Sequence, residues 1–130
     1  MKILVVDDEI TSQGYLKKIL APYGTVDIAT NGKEGISFFK ESLGKNEYYD
    51  LICLDYHMPL MTGHETLTGI RKLEKKYGLT GAQRTKIIMI TVTYDFDTII
   101  DSFKLECEGY LTKPVRKEKL KELLQKVNII

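Results

Sequence analysis

The sequence predicts an α/β domain, a doubly wound five-stranded parallel sheet with helices on both faces. Two observations carry the prediction. Three continuous apolar runs, Ile3-Leu4-Val5-Val6, Leu51-Ile52-Cys53-Leu54 and Ile87-Ile88-Met89-Ile90, have the composition of strands covered on both faces. Between and after them lie longer segments whose apolar residues recur at helical spacing, the alternation that parallel sheets with crossover helices require.

Taken in order, the first run leads to Tyr15, Leu16, Ile19 and Leu20 at helical spacing, stopped by Pro22 and Gly24. From Thr25 to Thr30, Val26 and Ile28 alternate with polar residues, the pattern of a half-exposed edge strand. Asn31-Gly32 turns the chain into a helix bearing Ile36, Phe39 and Leu43, with Gly32 read as a turn residue. The second apolar run ends at Asp55. Pro59 and Gly63 mark the loop after it, and Leu67, Ile70 and Leu73 give the next helix face. Tyr77 to Thr85, with two glycines and no apolar period, is the longest connection. The third run ends at Thr91, and Ile99, Ile100 and Phe103 give a short helical face. A brief strand around Gly109-Tyr110-Leu111 reaches Lys113-Pro114. The last helix carries Leu120, Leu123, Leu124 and Val127 at i, i+3, i+4 and i+7.

A chain of 130 residues reads as one domain, 1–130, that buries about two-thirds of its unfolded surface. Nineteen basic and eighteen acidic residues leave a net charge of +1, without the basic face that a nucleic-acid binder needs. No apolar run approaches the roughly 18 residues of a membrane span. The apolar stretch before Asp7 is too short for a signal peptide. Two cysteines, Cys53 and Cys107, make neither a disulfide framework nor a zinc set, so the chain reads as cytoplasmic.

In open parallel sheets, ligands bind outside the carboxyl ends of the strands. The polar residues at those ends are Asp7 and Asp8, Asp55, Thr91 and Lys113. If their strands are neighbours, three carboxylates converge and must be neutralised, because like charges raise one another's pKa. A hard divalent cation with oxygen ligands answers this, and Mg²⁺ suits best because it leaves room for phosphate oxygens. Lys113 and Thr91 then offer a cation and a hydroxyl toward a phosphoryl group. The chemistry that fits is phosphoryl transfer onto a carboxylate, giving an acyl phosphate on Asp55.

These residues give the chain a resemblance to response-regulator receiver domains of the stand-alone, CheY-like type. It rests on Val5-Val6-Asp7-Asp8-Glu9, Ala29-Thr30-Asn31-Gly32, Leu54-Asp55-Tyr56-His57-Met58-Pro59 with Gly63, Ile90-Thr91, and Gly109-Tyr110-Leu111-Thr112-Lys113-Pro114. The resemblance spans essentially the whole chain. It implies the flavodoxin-like (CheY-like) fold with strand order 2-1-3-4-5. It implies that Asp55 accepts a phosphoryl group from a histidine kinase or phosphotransfer protein. Asp8 matches the direct carboxylate ligand of Mg²⁺, Asp7 its neighbour acting through metal-bound water, and the main-chain carbonyl of His57 a further ligand. Lys113 matches the lysine that contacts the phosphoryl oxygens, its bond to Pro114 often being cis in the family. Thr91 matches the hydroxyl that moves to meet the phosphate, and Tyr110 the aromatic that swings in behind it. Such domains are switches rather than enzymes, though they assist their own phosphorylation and dephosphorylation. The signalling face implied lies between Asp97 and Asn128 and binds a downstream protein.

Simpler readings stand beside these. Thr91 could be a buried hydroxyl bonded to backbone, and Tyr110 plain core or rim. His57 and His64 lack a Cys or His partner at zinc-ligand spacing. Cys53 reads as an inert core thiol, and Cys107 as one exposed enough to react, though nothing nearby in sequence activates it. The charges from Arg116 to Lys121 read as a solvated helix face. Val92 is bulkier than the small residue usual in the family after the threonine, and is expected to narrow access to Asp55. His57 and Thr93 match the positions that tune dephosphorylation in the family, and neither residue type there fixes the lifetime of the phosphoryl group. The 77–85 connection is longer than usual, either a docking element or a loop. Two rival functions are a Mg²⁺-dependent aspartyl-phosphate phosphohydrolase and a phosphorylation-independent binding module. The first wants a second acid where His57 stands; the second does not need Asp7, Asp8, Asp55 and Lys113 together.

Overall fold

In a computed structural model, residues 1–92 and 107–130 are described. The strands are β1 (Lys2–Val6), β2 (Thr25–Ala29), β3 (Leu51–Asp55), β4 (Lys86–Thr91) and β5 (Gly109–Thr112). The α-helices among the described residues are α1 (Ile10–Leu20), α2 (Gly32–Gly44), α3 (Gly63–Lys76) and α4 (Lys117–Lys126), with short 3-10 turns at Ala21–Tyr23 and Gly81–Gln83. All neighbouring strands run parallel, in the order β2-β1-β3-β4-β5, as the motif resemblance implies. The expected helix around Ile99, Ile100 and Phe103, and Thr93, lie outside the described residues.

The three apolar runs are central strands, and strand alternation divides their side chains between two cores. Leu4, Val6, Ile52, Leu54, Ile87 and Met89 face α2 and α3, where Phe39, Leu43, Leu67 and Ile70 meet them. Ile3, Val5, Leu51, Cys53, Ile88 and Ile90 face α1 and α4, where Leu16, Ile19, Leu20, Leu120 and Leu124 close the other side. Each buried aliphatic side chain contributes about 1.5–3 kcal/mol. Burial on both faces explains the lack of alternation, and β2, at the edge, keeps Thr25 and Asp27 in solvent.

Two readings are corrected. Tyr15 has helical spacing but is exposed, and its hydroxyl donates to Val115 O at 2.6 Å, tying α1 to the loop before α4. Gly32 is not only a turn residue; it opens α2, and a Cβ there would lie 2.2 Å from Thr66 Oγ1. The missing side chain lets α2 approach α3. Asn31 caps α2, its Oδ1 accepting from Glu34 N at 2.8 Å.

The 77–85 connection is pinned. Leu79 packs against the α2/α3 core, and Thr85 N donates to Glu74 Oε2 at 2.7 Å. Glu74, 1% exposed, also accepts from Arg71 Nη1 at 2.7 Å, while Arg71 Nη2 donates to both Glu108 oxygens at 3.0 Å. This charge network joins the end of α3 to the starts of β4 and β5, at the end of the sheet opposite the strand-end acids.

Candidate functional site

Asp7 and Asp8 follow β1 and Asp55 ends β3, so pairing of these adjacent strands brings the three carboxylates together. One oxygen from each lies within 4.8 Å of the others. Asp55 is 4% exposed and Asp7 1%, whereas Asp8 is exposed and opens the cluster to solvent. Both oxygens of Asp7 are engaged: Oδ1 accepts from Glu9 N at 2.9 Å and Oδ2 from Lys113 Nζ at 3.1 Å.

Lys113 arrives from beyond β5 because its N–H donates to Thr91 O at 2.7 Å, continuing the β4–β5 ladder past the strand end. Its ammonium stands 3.5 Å from Asp55 Oδ2. The bond to Pro114 is cis, as the resemblance suggests. Desolvation works against the lysine's charge, but Asp55 and then Asp7 outweigh it and raise its pKa. For Asp55, burial is the largest influence, Asp7 the next, and Lys113 opposes them; the carboxyl is pushed up to about 7. The cluster thus carries more negative charge than Lys113 compensates. Its donors are all hard oxygens, the set that fits Mg²⁺.

The loop after β3 is shaped by Gly63, whose N–H returns to Tyr56 O at 2.9 Å. A Cβ on Gly63 would stand 2.7 Å from Asp55 O, so only glycine lets α3 start against the acidic strand end. Thr62 and Glu65 cap α3 reciprocally. His57 is exposed with its ring edge-on to Tyr56 at 4.8 Å, and His64 meets the same ring at 5.0 Å.

The remaining expected residues stand on β4 and β5. Thr91 ends β4 fully buried, and Tyr110 lies on β5 opposite Met89, half-buried against the α2/α3 core. Val92 is 60% exposed and lines a cavity of about 440 Å³ with Glu9, Ser12, Tyr15 and Lys113. Two cysteines are buried: Cys53 as expected, its thiol pushed by burial to about 12, and Cys107 against expectation. Burial, then Glu108, raises the Cys107 thiol to about 11, which leaves it poorly nucleophilic. Sequence reasoning missed the Glu9 and Ser12 contacts with Lys113; only the acid after Asp7-Asp8 hinted at the first. Arg116, at the N-cap of α4, and Lys117, Lys119 and Lys121 on it are exposed, as a solvated face should be.

Comparison with known proteins agrees with this geometry. The response regulator receiver domain matches residues 3–125. A chemotaxis protein CheY homolog of Campylobacter jejuni is 33% identical, the alignment covering 98% of this chain and 92% of that protein. The osmosensing histidine protein kinase SLN1 of Saccharomyces cerevisiae is 30% identical over 95% of this chain, which spans only 10% of that kinase's length. The receiver domain of the Arabidopsis thaliana histidine kinase CKI1, crystallised with Mg²⁺ and BeF₃⁻, superposes with a TM-score of 0.84 at 25% identity, covering 99% of this chain and 90% of that one. Among the described residues, no helix is long and apolar enough to cross a membrane. With the five-stranded order, the acidic strand ends and these matches in agreement, the chain belongs to the response regulator receiver domains, the CheY-like phosphoacceptor family of two-component signalling.

Proposed function

We propose that this chain is a single receiver domain, 1–130, that takes a phosphoryl group onto Asp55 in a Mg²⁺-dependent reaction. The donor is the phosphohistidine of a histidine kinase or phosphotransfer protein. The observation that carries the reading is the convergence of Asp7, Asp8 and Asp55 within 4.8 Å, with Lys113 against Asp7 and Asp55.

In the transfer, an Asp55 carboxylate oxygen attacks phosphorus, an O–P bond forms, the P–N bond breaks, and its electron pair returns to the imidazole nitrogen. Asp55 must be ionised to attack, and its raised pKa makes neighbouring positive charge a requirement near neutral pH. Asp8, Asp7, Asp55 and the His57 carbonyl would hold Mg²⁺, which when bound supplies positive charge and coordination for phosphoryl oxygens. Lys113 neutralises charge developing on the transferred group. Thr91 and Tyr110 are the switch residues: the hydroxyl meets the phosphate and the aromatic follows it inward. The local change biases a surface between positions 97 and 128, of which 97–106 lie outside the described residues, toward a downstream protein. The setting is cytoplasmic, and neither nucleic acid nor membrane is the partner.

Labelling by a phosphohistidine donor tests this. Label should need Mg²⁺, be acid-stable and hydroxylamine-sensitive as an acyl phosphate is, and vanish in Asp55→Asn. Pull-down with beryllofluoride-treated wild type against Asp55→Asn tests the switch; partners indifferent to both would refute it.

A further inference from the structure

Glu9 occupies the N-cap of α1, where a short polar side chain ordinarily accepts a bond from the first-turn amides, yet it makes no such bond. Its carboxylate instead lies 3.4 Å from Lys113 Nζ, and Ser12 Oγ, one turn along, accepts from the same nitrogen at 3.3 Å. An ammonium has three N–H donors. Around Lys113 four oxygens compete for them, since Asp7 Oδ2 stands at 3.1 Å and Asp55 Oδ2 at 3.5 Å. Two come from the buried strand ends and two from α1.

We propose that Glu9 and Ser12 are positioning residues that hold Lys113 in a shared, withdrawn place, which it must partly leave to engage a phosphoryl group on Asp55. The inference rests on the roles proposed above for Asp55 and Lys113. Glu9 is the partner that yields. Its side chain is 64% exposed, so water replaces the contact at little cost, whereas Asp7 is buried at 1% and has no such substitute. The cavity of about 440 Å³ bounded by Glu9, Ser12, Val92 and Lys113 leaves the two side chains room to part. The tether therefore opposes the phosphorylated state modestly, by the strength of a solvent-exposed ion pair.

The test is binding of beryllofluoride, the phosphoryl mimic, followed by fluorine NMR at saturating Mg²⁺, with each variant's Mg²⁺ affinity measured separately and its fold checked by circular dichroism. Glu9→Gln should bind the mimic about two- to fivefold tighter. Glu9→Asp should tighten it as well, because it keeps the charge but is a methylene too short to hold Lys113. Ser12→Ala should act in the same direction, more weakly, with Mg²⁺ affinity unchanged. If Glu9→Asp behaves as wild type while Glu9→Gln tightens, charge at a distance is responsible and the tether is refuted. Wild-type affinity in all three variants also refutes it, leaving the phosphoacceptor reading intact. A wild-type protein that binds no beryllofluoride in Mg²⁺ would overturn that reading, and this inference with it.

Discussion

Replacing Asp55 with asparagine should stabilise the protein by an amount that depends on pH. Burial first, then repulsion from Asp7, hold the Asp55 carboxyl at about 7 instead of 3.8, even with Lys113 opposing them. An acid raised in the folded state costs nothing below about pH 4, where both states are protonated. The cost grows between about pH 4 and 7, where the unfolded chain releases a proton that the folded chain retains, and is constant above. About three pH units at about 1.4 kcal/mol each give about 4 kcal/mol in the absence of a divalent cation. Asparagine has nearly the same shape and carries no charge. Urea unfolding followed by circular dichroism in EDTA, at about pH 4.5 and about pH 8.5, should show Asp55→Asn ahead by about 1 kcal/mol at the lower pH and about 4 kcal/mol at the higher. Saturating Mg²⁺ at the higher pH should stabilise wild type and narrow the gap, as ligand binding to the folded state does. An advantage of the same size at both pH values would refute the reasoning, since a packing effect does not titrate.

Three further outcomes follow. Arg71→Leu leaves the buried Glu74 carboxylate without a cation, while Glu108 keeps Arg84 at 3.7 Å, and should cost about 3–5 kcal/mol in urea unfolding; a loss under about 1 kcal/mol would show that the network is solvated. Gly63→Ala drives a Cβ to 2.7 Å from Asp55 O and 2.8 Å from Tyr56 Cα, backbone that cannot move aside cheaply. It should lower stability by about 1–3 kcal/mol and weaken Mg²⁺ binding, read by thermal melting and metal titration. Val92→Ala should speed acetyl-phosphate labelling several-fold by clearing the wall beside Lys113, and labelling at the wild-type rate would count against steric gating.

Much of the site was legible because a strand buried on both faces must be apolar throughout, so the first polar residue after it is conspicuous. Asp7, Asp8, Asp55 and Thr91 each stand at the end of such a run, and Lys113 follows the short last strand. Parallel pairing then brings the acids and the lysine together, whatever the intervening helices contain. Legibility failed where a side chain's environment is set by an element distant in sequence. Cys107 sits in an unpatterned stretch, and what buries it is the α2/α3 core. Tyr15 shares the spacing of Leu16, Ile19 and Leu20, but its hydroxyl reaches Val115, a hundred residues on.

By itself the sequence determined the alternation of strands and helices, the two-sided burial of the central strands, and which polar residues stand at their ends. Each depends on apolar patterning that a few consecutive residues display. Strand order came into reach only through the motifs' likeness to a known family, and the sheet bears that order out. The tertiary structure alone decided how charges pair: Arg71 with Glu74 and Glu108, and Lys113 shared among Asp7, Asp55, Glu9 and Ser12. Hydrophobic burial leaves a periodic trace in the chain, but a charge pair between residues 9 and 113 leaves none, because it exists only once folding has brought the strand ends together.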